Sequence, residues 1–82
     1  MSYVMVSADF PGVTGQQREL IYSCLKSKNW VKVTEPGRDI DTVWYANFME
    51  GATEKGAIQT SISHFVECSN KYCKCKLALQ WG

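Results

Sequence analysis

The chain has 82 residues, 45% of them apolar and 21% charged, and a net charge of +1 at neutral pH. This suits one small globular domain over residues 1–82 and excludes a disordered chain. Near-zero net charge excludes a strong electrostatic draw toward nucleic acid or anionic lipid, and no apolar run approaches the roughly 20 residues of a membrane helix.

Tyr3 to Ala8 alternates as a strand does, with Val4, Val6 and Ala8 on one face and Tyr3, Met5, Ser7 and Asp9 on the other. Pro11-Gly12 ends it. Thr14-Gly15-Gln16-Gln17 has the form of a capping box and predicts a helix from Thr14 to Lys28. Its core stripe is Gln17, Leu20, Ile21, Cys24 and Leu25, and Lys26 and Lys28 complement the helix dipole in the last turn. A strand follows over Trp30 to Thr34, with Val31 and Val33 on one face and Trp30, Lys32 and Thr34 on the other. Glu35-Pro36-Gly37-Arg38-Asp39 is a turn sequence.

The next strand, Thr42 to Phe48, turns Thr42, Trp44, Ala46 and Phe48 toward the helices and Val43, Tyr45 and Asn47 away. Thr53 is the N-cap of a second helix reaching Asn70, with Ala57, Ile58, Ser61, Ile62, Phe65 and Ser69 as its core stripe. A last strand, Lys74 to Trp81, puts Cys75, Leu77, Leu79 and Trp81 on one face and Lys74, Lys76, Ala78 and Gln80 on the other. Strand, helix, strand thus occurs twice. The order predicts an α+β fold, a ferredoxin-like βαββαβ sandwich in which two helices cover one face of a four-stranded antiparallel sheet. Such a scaffold hosts many unrelated activities, so function must be argued from side chains.

Four cysteines are present, Cys24, Cys68, Cys73 and Cys75. No basic region followed by an apolar stretch marks the N-terminus for export, so the expected location is cytoplasmic, with reduced thiols and no membrane partner. His64 and Cys68 share a helix face and Cys73 and Cys75 a strand face, but the spacing matches no zinc pattern, and no metal site is expected there. Asp39 and Asp41 read as turn residues. The sheet face away from the helices is the stronger candidate. It is expected to carry Tyr3, Met5, Val43, Tyr45 and Trp30, with Lys32, Lys74 and Lys76 around them. Such a face serves either as a subunit interface or as a platform for stacking RNA bases.

Val6-Ser7-Ala8-Asp9-Phe10-Pro11 resembles the first strand of the GhoS-type antitoxin endoribonucleases and of related CRISPR-associated ferredoxin-fold proteins. Leu20-Ile21-Tyr22 and Pro36-Gly37-Arg38 run in comparable register. The resemblance implies the same βαββαβ fold, a homodimer and RNA cleavage of toxin–antitoxin type. It carries Asp9 over as the catalytic carboxylate, where two copies could share a Mg²⁺ ion; no other cofactor is implied. On that reading Lys32, Arg38, Lys74 and Lys76 contact phosphate. The other reading is a non-enzymatic module, from a phage or other mobile element, that binds a protein partner through a sheet edge or the open face. On the residues alone a homodimer is expected, built on the open face or an exposed strand edge, with Tyr3, Met5, Trp30 and Tyr45 at its interface.

Overall fold

Six elements follow the expected order: β1 (Ser2–Asp9), α1 (Gly15–Ser27), β2 (Val31–Glu35), β3 (Arg38–Phe48), α2 (Glu54–Ser69) and β4 (Lys76–Trp81). The structure, a computed structural model, describes residues 2–35 and 38–82, and of residues 34–42 it describes no side chain. The strands form one sheet in the order β2-β3-β1-β4, every pair antiparallel. This is the βαββαβ sandwich expected from the doubled pattern. Among the described residues no helix is long and apolar enough to cross a membrane.

The strict alternation of β1 explains its central place. Val4, Val6 and Ala8 are buried against the helices, in one cluster with Ile21 and Leu25 of α1, Trp44 of β3, and Ala57 and Phe65 of α2. β4 contributes Leu77, Leu79 and Trp81 to the same face, half-buried at the margin of that cluster. Trp44 packs edge-on against Tyr22 at 5.2 Å between ring centroids and against Phe65 at 6.4 Å. The Tyr22 hydroxyl and the Trp44 indole N–H have no hydrogen-bond partner among the described residues, so ring contacts and apolar area hold this pair.

Both helices are turned relative to their expected stripes. In α1 the buried residues are Ile21, Tyr22 and Leu25, while Leu20 is 52% exposed. The Tyr22 ring buries more apolar area than a leucine and finds Trp44 beneath it. In α2 the buried residues are Ala57, Ser61, Phe65, Cys68 and Ser69, and Ile62 is 40% exposed. Ser61 and Ser69 are buried at low cost because their hydroxyls donate to the carbonyls of Ala57 and Phe65, each at 2.7 Å.

The caps form as the sequence indicates. The Gln17 amide donates to Thr14 Oγ1 at 3.1 Å, and the Thr14 amide donates to Gln17 Oε1 at 3.0 Å. Thr53 Oγ1 accepts from the Gly56 amide at 3.1 Å. Replacing Thr14→Ala leaves the Gln17 amide without its acceptor, while the backbone N–H at position 14 can still donate to Gln17 Oε1. The substitution is expected to lower stability by about 1 kcal/mol, seen as a lower urea midpoint at unchanged slope.

The second strand starts one residue later than expected, at Val31. Trp30 instead completes a Schellman motif at the end of α1. Its amide donates to the Leu25 carbonyl at 3.1 Å, the Asn29 amide donates to the Lys26 carbonyl at 3.0 Å, and Asn29 has a left-handed φ of 69°. The apolar residue after such a turn packs back on the helix, and Trp30 is accordingly 2% exposed in the core. This corrects its expected place on the open face.

Candidate functional site

The face opposite the helices is ordered in rows by the strand registers. Val31, Tyr45, Met5 and Gln80 lie side by side across β2, β3, β1 and β4. Val43, Ser7 and Ala78 form the next row, and Asn47 and Tyr3 lie beyond the first on its other side. The exposure is substantial: Tyr3 41%, Met5 36% and Val31 46%, with Tyr45 and Val43 half-buried between them. The Tyr3 ring lies over Gly82, where a side chain's first carbon would come within 2.9 Å of it and turn the exposed ring aside.

Of the residues expected on this face, Tyr3, Met5, Val43 and Tyr45 are there, and Trp30 is not. Lys32 is not there either. It pairs in register with Trp44 on the helix side, and its ammonium lies 5.2 Å from the centre of the Tyr22 ring. Trp30 and Lys32 share a face, as the alternation predicts, but that face is the helix side, which gives the cation–π placement. Val31, expected on the core face, therefore stands on the open one. Lys74 precedes β4 and Lys76 opens it, both exposed. Arg38, Asp39 and Asp41 lie in β3 and not in a turn, because the strand starts at Arg38, four residues before the expected Thr42; their side chains, and Pro36 and Gly37, lie outside the described residues.

Asp9 is exposed at the end of β1, opposite Lys76 in register, beside a shallow depression lined by Ser7, Ala8, Leu77 and Ala78. Cys73 and Cys75 are near it. Burial pushes the Cys73 thiol above its ordinary pKa, Cys75 and Asp9 add to the rise, and Arg18 opposes it. Among the described residues no group of three or more His, Cys, Asp or Glu side chains is placed to hold a metal ion.

The other two cysteines correct the expectation of reduced thiols. Cys24 of α1 and Cys68 of α2 form a disulfide, with Cα atoms 5.5 Å apart. Both lie where the two helices meet over the sheet, which brings together residues 44 apart in sequence. His64 faces a different neighbour, its Nδ1 accepting from the Trp30 indole N–H at 3.1 Å. The His64, Cys68, Cys73 and Cys75 set is therefore split three ways.

No protein-family model matches the chain, and no curated protein or solved structure matches it significantly. The fold and the placement of side chains are what bear on function.

Proposed function

We propose that this chain is a non-enzymatic interaction module that recognises a protein partner through its open sheet face. The row Val31, Tyr45 and Met5 carries the reading: apolar side chains side by side from the β2 edge to the central strands of a sheet whose helices lie on the opposite face. Contiguous exposed apolar surface of this kind marks association sites. Tyrosine and methionine are enriched in interface cores; tyrosine supplies a large contact with few rotors to order, and methionine's flexible thioether adapts to the partner's shape. RNA stacking is less well supported, because Trp30 and Lys32 are on the helix side and leave two tyrosines, with Lys74 and Lys76 at one end, to serve it. The GhoS-type endoribonuclease reading rests on Asp9, at the end of β1 away from the central row. The Cys24–Cys68 bond supports work in a compartment that is not reducing, rather than the cytoplasm expected from the sequence.

The test places Met5→Glu and Tyr45→Glu together in the full chain. Binding to the partner captured by immobilised wild-type protein is expected to weaken by more than about 30-fold, the loss of a pair of central anchors, with the far-ultraviolet circular dichroism unchanged. Mg²⁺-dependent cleavage of RNA by the wild type, abolished by Asp9→Asn, would overturn the reading in favour of the nuclease.

A further inference from the structure

The sheet has two edges of different character. β2 carries Lys32 and Glu35 in its sequence, and its register against β3 shifts between Lys32 and Thr34. Charge and irregular register both blunt an edge against further pairing. β4, at the other edge, pairs with β1 in unbroken register from Val4↔Trp81 to Asp9↔Lys76. From Leu77 to Trp81 it reads Leu-Ala-Leu-Gln-Trp, without a charge or a proline. None of the usual protections is present over that stretch.

The hydrogen bonds fix which backbone groups face outward. Tyr3 and Gly82 exchange both of theirs, at 3.0 and 2.9 Å. Antiparallel pairs alternate between bonded and non-bonded positions, so Met5 with Gln80 and Ser7 with Ala78 are also bonded pairs. The N–H and C=O groups of Leu77, Leu79 and Trp81 therefore turn away from β1 to the free edge, where no further strand of the described residues lies.

We propose that β4 pairs antiparallel with β4 of a second copy of this chain, about a two-fold axis at Leu79. Among two-fold registers, this one engages all the outward groups at once: Leu79 faces the partner's Leu79, and Leu77 faces the partner's Trp81. On the helix side, the half-buried Leu77, Leu79 and Trp81 become covered by their counterparts. On the open side, Ala78 lies opposite the partner's Gln80, and Lys76 lies opposite the partner's Gly82, which keeps the two lysines at opposite ends of the ladder. The outer strands already supply their backbone groups in extended form, so little ordering is required. Edge-to-edge antiparallel pairing places the axis perpendicular to the sheet. Both helix layers then lie on one side, and both open faces form one continuous surface on the other. The pairing leaves Val31, Tyr45 and Met5 uncovered, so it does not depend on what that row recognises.

Ala78 and Gln80 are exposed, neutral and opposed only across this axis, so they test both the contact and its register. Sedimentation equilibrium of the purified protein alone is expected to show a dimer. Ala78→Glu with Gln80→Glu sets like charges directly opposite each other twice and is expected to weaken dimerisation roughly tenfold. Ala78→Lys with Gln80→Glu sets opposite charges there and is expected to tighten it by a similar factor. Amide exchange supplies a readout independent of these variants: the Leu77, Leu79 and Trp81 amides are expected to become protected as concentration rises through the dimer transition. A monomer at every concentration, a dimer indifferent to both pairs of substitutions, or outward amides that exchange freely in the dimer would each overturn the proposal. Loss of partner capture on Met5→Glu with Tyr45→Glu is read separately and leaves it standing.

Discussion

Replacing Cys24→Ser together with Cys68→Ser is expected to lower the unfolding free energy by about 4 kcal/mol, from the chain entropy that a cross-link over this separation removes from the unfolded state. Domains this small have stabilities of about 5–15 kcal/mol, so the variant should retain a small fraction of the original margin. The melting temperature should fall by roughly 20 °C. The bond also has a local part. It joins the faces of α1 and α2 above a core in which Ile21, Leu25, Ala57 and Phe65 meet. Thiol titration of the unfolded, unreduced protein should count two free groups, Cys73 and Cys75, and four after reduction. Equal melting temperatures for the variant and the wild type would show that helix packing alone holds the pair in place.

The parts of the fold that were legible in sequence are those with a local cause. β1 alternates without exception, Thr14 and Gln17 form a reciprocal cap, and Thr42 to Phe48 assigns Trp44 inward and Tyr45 outward, all as observed. Three of the four expected interface residues, Tyr3, Met5 and Tyr45, are on the open face for that reason. What was missed depends on partners distant in sequence or on a turn that sets which face of a strand points inward. Periodicity fits α1 nearly as well with Leu20 inward as with Tyr22, and only Trp44, on another element, decides. Cys24 and Cys68 are paired by the meeting of two helices, which no spacing rule encodes. Trp30 was misplaced by its position: read as the first residue of a strand it faces outward, whereas as the residue after a left-handed Asn29 it folds back under α1. Asn followed by a large apolar residue after a helical stretch was the available signal. Missing it inverted Val31 and Lys32 as well, since alternation ties their faces to that of Trp30.

Trp30 should be correspondingly costly to remove, with Trp30→Ala expected to destabilise by about 3–5 kcal/mol. The indole stacks edge-to-face on Phe65 at 4.8 Å between centroids and ties the end of α1 to α2 through its hydrogen bond to His64. His64→Leu keeps side-chain bulk but leaves the Trp30 N–H without its acceptor, a loss of about 1–3 kcal/mol. Because Nδ1 must accept this bond, the ring has to be neutral with its proton on Nε2. Desolvation and the nearby Lys28 hold the His64 pKa below its ordinary value of 6.5, against an opposing effect of Glu67, whose carboxylate pairs with Lys28 at 3.2 Å. A pKa lower in the folded state means that, between it and 6.5, the unfolded chain binds more protons than the folded one. The stabilisation is therefore complete above 6.5, declines as pH falls from there to the folded value, and changes no further below it. Urea midpoints measured across this range should fall with pH in the wild type, and the part of that fall owed to His64 should vanish in His64→Leu. An identical pH dependence in both proteins would remove the imidazole from the account and leave Trp30 held by its ring contacts alone.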